Sequence, residues 1–193
     1  DRIYYWNMIG KGELMKKILE IVNNGDVRLR QKSVKKGEVL VREGEYSRKL
    51  YYIKEGILRL WHNNFGEEIT LQFFFSGQFV SSFESYLYDK ESKFTLEAVS
   101  NSIIIELDRE VLEELIDKNP EMKEEIYYYI NNRFIDYINL FLSRIKNSPQ
   151  ERYKELMEIN PILLEKAPHY MVASYLGITP VSLSRIRRKF ENN

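Results

Sequence analysis

The apolar positions change period twice along the chain. Up to about Asn24-Gly25-Asp26, residues Leu14, Ile18, Leu19, Ile21 and Val22 form a short helical stripe. From about Val27 to Leu107 the pattern becomes short and strand-like. Runs of this kind occupy 29–35, 39–42, 50–54, 57–62, 68–75, 95–99 and 103–107. Turn signals lie between them at Lys36-Gly37, Glu43-Gly44, Glu55-Gly56, Asn63-Asn64-Phe65-Gly66 and Ser76-Gly77. Many short strands at regular spacing predict a small barrel or jelly roll.

The remainder reads as helix. Asp108 is placed to cap a helix that ends near Lys118, before Asn119-Pro120. Pro120 suits the first turn of the next helix, which runs to about Lys146 and stops at Ser148-Pro149. At about 27 residues it spans roughly 40 Å. Ile126, Ile130, Phe134, Tyr137, Phe141 and Ile145 recur at spacings of 4, 4, 3, 4 and 4, and Tyr127, Ile138 and Leu142 add a second stripe. Two stripes suit a helix packed on its own barrel by one face and on a second copy by another. A long core helix serving its own subunit is the alternative. From Pro149 to Phe190 the chain has its own helices, punctuated at Asn160-Pro161 and Ala167-Pro168.

Composition narrows the chemistry. The 193 residues are 44% hydrophobic and 30% charged, which is enough to bury a core. Basic and acidic residues balance at 29 each, so nucleic-acid binding must rest on local charge. The absence of cysteine excludes disulfides, thiolate-held zinc or iron–sulfur clusters, and a cysteine nucleophile. With only His62 and His169, a metal centre built from several histidines is excluded, and with it a cupin-type metalloenzyme. No apolar run approaches the roughly 18 residues of a membrane span. The short run at 4–9 is no signal peptide, so a cytoplasmic, non-membrane, non-enzymatic protein is expected.

The strongest motif runs from His169 to Lys189. Val172, Leu176, Ile178, Leu183 and Ile186 are apolar, Ala173 is small, and Gly177 sits at a candidate turn. Two short helices that cross closely need a small residue at the contact and a turn residue that tolerates positive φ. Thr179 can cap the second helix and Pro180 fits its first position. Its outward face carries Val181, Ser184, Arg185 and Arg188, flanked by Arg187 and Lys189. From Gly177 to Asn193 four basic residues oppose one acidic residue, a local charge of +3. A helix reading the major groove uses such residues for bases and phosphates.

The stretches Ser148-Pro149-Gln150-Glu151-Arg152-Tyr153 and Ala173-Ser174-Tyr175-Leu176-Gly177-Ile178-Thr179-Pro180, with Ser184-Arg185 after them, resemble Crp/Fnr-type transcription regulators, the cyclic-AMP receptor protein superfamily. They are especially similar to Crp-like regulators common in Bacteroidetes. The resemblance covers about Leu29 to Phe190. It implies an α+β fold: an N-terminal cyclic-nucleotide-binding-type β roll (a jelly roll) over 1–119, a long dimerisation helix over 120–147, and a C-terminal winged helix-turn-helix over 148–193. It further implies a homodimer on double-stranded DNA with an inverted-repeat operator, RNA polymerase as a partner, and a small-molecule effector in the roll. A cyclic-nucleotide-responsive module acting through a protein partner is the alternative, against which the basic second helix argues.

The family's site residues carry over only in part. Its second helix opens with Ser, Arg and Glu, where this chain has Thr179, Pro180 and Val181, so only Arg185 matches a base-reading position. Val181 suits a thymine methyl, and Ser182 and Ser184 suit phosphates or bases. His169 is placed to cap the first motif helix or touch a phosphate. Family binders of cyclic nucleotides hold the ribose with Gly-Glu and the phosphate with Arg-Ser/Thr-Ala. Here the matching region begins at Gly77-Gln78-Phe79, the Gly-Glu positions read Ser81-Ser82 before Phe83-Glu84, and the phosphate positions read Ser92-Lys93-Phe94 before Thr95. Lys93 lacks the bidentate fork of Arg, and Phe94 fills space the phosphate needs. These departures argue against cyclic AMP or cyclic GMP and leave another effector, or none. Glu84 and Lys93 could pair at the pocket mouth. Phe73-Phe74-Phe75 with Phe79 and Phe83 could line an apolar pocket or fill the barrel, and Tyr127-Tyr128-Tyr129 could touch ligand, partner or solvent. His62 suits a solvated surface position better than a haem ligand.

Overall fold

The computed structural model describes Glu20 and residues 29–191. The predicted stripe from Leu14 to Val22 lies outside the described residues. Among the described residues there are eight strands: β1 (Leu29–Val34), β2 (Val39–Val41), β3 (Lys49–Glu55), β4 (Ile57–Asn64), β5 (Glu67–Phe75), β6 (Phe79–Val80), β7 (Thr95–Ala98) and β8 (Ser102–Asp108). The helices are α1 (Phe83–Tyr88), α2 (Arg109–Lys118), α3 (Glu121–Lys146), α4 (Pro149–Ile159), α5 (Pro161–Lys166), α6 (His169–Tyr175) and α7 (Pro180–Glu191).

The strands form two antiparallel four-stranded sheets, ordered β1-β8-β3-β6 and β2-β7-β4-β5. Between them lies the roll interior, where Val34, Tyr51, Ile53, Leu58, Leu60, Phe74, Leu96 and Ile104 are buried. The outer faces are also covered. Tyr52, Phe79, Ile105 and Leu107 pack beneath Leu115 of α2 and Met122 of α3. Ile57, Phe73 and Val99 share one core with Tyr153, Leu163, Val172, Leu183 and other residues of α4–α7. Burial on both faces explains why β4 opens with four consecutive buried residues and β7 is buried throughout.

Local chemistry sets the boundaries. The reversal between β3 and β4 needs Gly56, whose φ is +106° and where a Cβ would stand 2.8 Å from the Ser102 backbone. Ser148 opens α4 with a capping box, its backbone amide donating to Glu151 at 2.7 Å. Asp108 precedes α2 without a side-chain capping bond, and Pro120 is the cap of α3 rather than part of its first turn.

Two elements have no counterpart in the sequence reading: the two-residue β6 and the six-residue α1, which closes on Asp89 in the left-handed region. Both are too short to show a period. No strand follows β8 among the described residues, so the strands of the expected wing are not among them. Within α3, Ile126 is partly buried against the Tyr52–Leu115 cluster, on the roll-facing side of the helix. Ile130, Phe134, Tyr137, Phe141 and Ile145 remain exposed, as do Tyr127, Tyr128, Ile138 and Leu142. Tyr129 turns the other way. Its hydroxyl accepts from the Phe79 amide at 2.9 Å and donates to the Phe79 carbonyl at 3.1 Å, holding β6.

Candidate nucleic-acid interface

The helix-turn-helix consists of α6, a turn at Leu176–Thr179 and α7. Ala173 is fully buried at the crossing, and Gly177 adopts φ +66° in the turn. The Ile178 amide donates to the Ala173 carbonyl at 3.0 Å, closing α6. Arg152 of α4 donates to the Leu176 carbonyl at 2.8 Å and ties the turn to the bundle. Thr179 caps α7 by accepting from the Ser182 amide at 3.2 Å. Leu183 and Ile186 are buried, which turns the remaining faces of α7 outward.

That outward surface carries Thr179, Pro180, Val181, Ser184, Arg185, Arg187, Arg188 and Lys189, with Ser182 half-buried. Val181 is 62% exposed. Arg185 and Arg188 form no ion pair among the described residues, whereas Arg187 lies 3.6 Å from Glu191 one turn on. Ser184 and Ser182 are engaged locally: Ser184 donates to the Pro180 carbonyl at 3.1 Å, and Ser182 accepts from the Thr179 hydroxyl at 3.0 Å. His169 caps nothing. Its Nε2 stands 3.3 Å from Ser184 Oγ, so it braces the two motif helices against each other.

The motif is seated on the roll through contacts that the sequence reading missed. Ser174 of α6 donates to the Glu68 carbonyl at 2.7 Å and accepts from the Thr70 amide at 2.8 Å, both on β5. Arg144 of α3 donates to the Leu71 and Tyr175 carbonyls, each at 3.2 Å. Burial lowers its guanidinium pKa from the ordinary value. Arg59 is wholly buried on the outer sheet face, where it meets Glu97, Glu68 and Thr70, with its guanidinium 5.8 Å from the Tyr170 ring centre. An arginine between Leu58 and Leu60 was the available signal.

The effector positions are brought together only in part. Ser82 and Ser92 are buried and bonded, Oγ to Oγ, at 2.7 Å. Lys93 pairs with Glu84 at 2.6 Å, as the sequence suggested, and bonds from Lys93 and Lys90 hold the Glu84 carboxyl below its ordinary pKa. Thr95 accepts from the Glu43 amide, Phe94 packs on the roll interior, and Ser81 is buried. Three positions depart from the pocket. Phe79 meets the Tyr52 ring at a tilt and the Tyr129 ring edge to face at the outer face, Phe83 is 55% exposed, and Gly77, in the β5–β6 turn, donates to the Ile53 carbonyl. The phenylalanine cluster is therefore divided: Phe74 fills the roll interior, while Phe73 faces α6. His62 lies at the surface beside Glu43, at 3.2 Å.

Among the described residues no group of three or more His, Asp or Glu is placed to hold a metal, and no helix is long and apolar enough to cross a membrane. Residues 31–119 match the cyclic nucleotide-binding domain family. The fumarate and nitrate reduction regulatory protein of Vibrio cholerae is 24% identical over 176 residues, 85% of this chain and 70% of that protein. FixK2 of Bradyrhizobium japonicum superposes with a TM-score of 0.73 at 16% identity, covering 85% of each chain. CLP of Xanthomonas campestris, a global regulator described as c-di-GMP responsive, gives 0.70 at 16% identity over 92% of each chain. The described residues thus share the fold of these solved structures, a cyclic-nucleotide-binding-type β roll joined by one long helix to a C-terminal helix-turn-helix.

Proposed function

We propose that this protein is a homodimeric, sequence-specific DNA-binding transcription regulator of the Crp/Fnr type. The observation that carries the reading is α7: Leu183 and Ile186 anchor it while Val181, Arg185 and Arg188 project outward. Arg185 suits a guanine edge through a bidentate contact, and Arg188 and Lys189 suit phosphates. The apolar stripe on α3 supplies the seam with a second copy. Two α7 helices related by a twofold axis would meet half-sites about 34 Å apart, so the operator is an inverted repeat. RNA polymerase is the downstream partner that this reading implies, and the cytoplasm is its place of action.

In the same reading the roll is not a receptor for cyclic AMP or cyclic GMP. A cyclic phosphate needs a cation and free donors in a buried pocket. Ser92 Oγ is engaged by Ser82 and by the Phe94 backbone, and Lys93 is paired with Glu84. Any effector is therefore of another kind. Fluorescence anisotropy with random duplex at two salt concentrations tests the DNA reading. Binding that weakens steeply with salt is expected, and no binding at low salt defeats the reading.

A further inference from the structure

Met122 and Arg133 are buried and Tyr129 bonds Phe79, which fixes the face of α3 that turns to the roll. At about 3.6 residues per turn, the line opposite that face passes through Asn131 and Ile138. Along it, Tyr127, Asn131, Phe134, Ile138, Phe141 and Ile145 follow one another at spacings of 4, 3, 4, 3 and 4. This is a heptad seam, with Asn131, Ile138 and Ile145 at the a positions and the aromatic rings at d. All six residues are exposed in the single chain.

The polar member of the seam is Asn131. No hydrogen bond among the described residues engages its amide, whereas the adjacent Asn132 donates to the Tyr128 carbonyl at 2.8 Å. In a coiled coil the positions beside the seam usually carry the charges that set partner and orientation. Here the e positions are Tyr128, Ile135 and Leu142 and the g positions are Ile130 and Tyr137, all exposed and none of them Asp, Glu, Lys or Arg. Orientation is therefore left to Asn131. In a parallel pair in register the two Asn131 side chains meet, and each amide supplies the donor and the acceptor that the other needs. An antiparallel pair centred on the same stretch sets Asn131 against the partner's Phe141, and a parallel pair slipped by one heptad sets it against the partner's Ile138. Either way the amide is buried without a partner and loses its hydration.

We propose, resting on the homodimer reading above, that Asn131 is the specificity-determining residue of the α3 surface: it pairs with its own counterpart across the twofold axis and selects as partner a second copy of this helix, parallel and in register. α3 has 26 residues and is about 39 Å long. Parallel pairing sets both helix-turn-helix motifs at the same end of the seam, where one duplex meets both, and antiparallel pairing sets them at opposite ends. Asn131 gives up apolar burial in the seam and in return decides which ends come together.

The chain has no cysteine, so a single introduced thiol reports on its own position without background. The test uses the full chain carrying Asn131→Cys or Ile135→Cys, oxidised mildly and separated without reductant, beside sedimentation of the unmodified chain. A disulfide needs Cα atoms within about 7 Å, which facing a positions of a parallel seam meet and e positions do not. Asn131→Cys should therefore form a covalent dimer at least about five-fold faster than Ile135→Cys. Asn131→Leu should melt at a higher temperature than the unmodified chain and sediment as a mixture that includes species heavier than a dimer, because no layer then penalises other registers and strand numbers. An unmodified chain that is monomeric at micromolar concentration defeats the homodimer reading and the role of Asn131 with it. A dimer in which Asn131→Cys cross-links no faster than Ile135→Cys, or in which Asn131→Leu remains a single dimeric species, overturns the role of Asn131 and leaves the homodimer standing.

Discussion

Arg59 and Glu97 stand directly opposite one another on β4 and β7, and the fully buried guanidinium donates to the Glu97 carboxylate through Nε at 3.0 Å. Glu68 takes a second nitrogen at 2.6 Å. Removing one member of a buried pair strands the other, at a cost of roughly 3–5 kcal/mol. Arg59→Ala should lose about that much in denaturant unfolding. The double variant Arg59→Met with Glu97→Leu should recover most of it, since Glu68 is partly exposed and can hydrate. A single variant costing less than about 1 kcal/mol would show that water reaches the site.

The exposed rings of α3 lead to a second expectation. Phe134 and Phe141 are 65% and 64% exposed, two turns apart on one face. Phe134→Glu or Phe141→Glu should convert a dimer into a monomer while leaving the melting temperature of the roll nearly unchanged. Sedimentation at micromolar concentration reads this directly. A wild-type monomer there contradicts the twofold arrangement.

Arg185 and Lys189 should separate base reading from phosphate contact. Arg185→Ala should cost roughly 1–3 kcal/mol on the cognate site and far less on random duplex. Lys189→Ala should weaken both alike and lower the salt slope by about one. Equal losses on both DNAs for Arg185→Ala would make it a phosphate clamp and move specificity to Val181.

Cyclic AMP should leave the melting curve unmoved. A ligand at about 100 times its Kd adds about 2.7 kcal/mol to the native state, an effect easily resolved. Millimolar cyclic AMP or cyclic GMP is therefore a stringent challenge to the Ser82–Ser92 bond and the Glu84–Lys93 pair. A saturable upward shift would mean that both open.

What the sequence made legible was whatever depends on near neighbours. The turns at Gly37, Gly44, Gly56 and Gly77 all adopt positive φ, so the strands between them were readable in order. The cap at Thr179 and the small residue at Ala173 are likewise local. The seating of α6 was not readable, because Ser174 bonds residues 104 and 106 positions away. No periodicity encodes such a pair. Ile126 and Phe134 illustrate the same limit: both belong to one apolar stripe, yet one packs on the roll and the other faces outward. Phe79 and Phe83 failed as pocket residues because β6 and α1 are too short to announce which way they face.

The seat of Ser174 has one further consequence. β5 is the last strand of its sheet, paired only with β4 among the described residues. Such a border strand is a ready template for another chain. Ser174 answers both the Thr70 amide and the Glu68 carbonyl, and Arg144 answers Leu71, so the border is sealed by groups from outside the sheet. Any state that lifts α6 away must unseal it. A chain shortened to end before α6 should therefore aggregate through β5, which makes the helix-turn-helix segment the guardian of the roll's solubility.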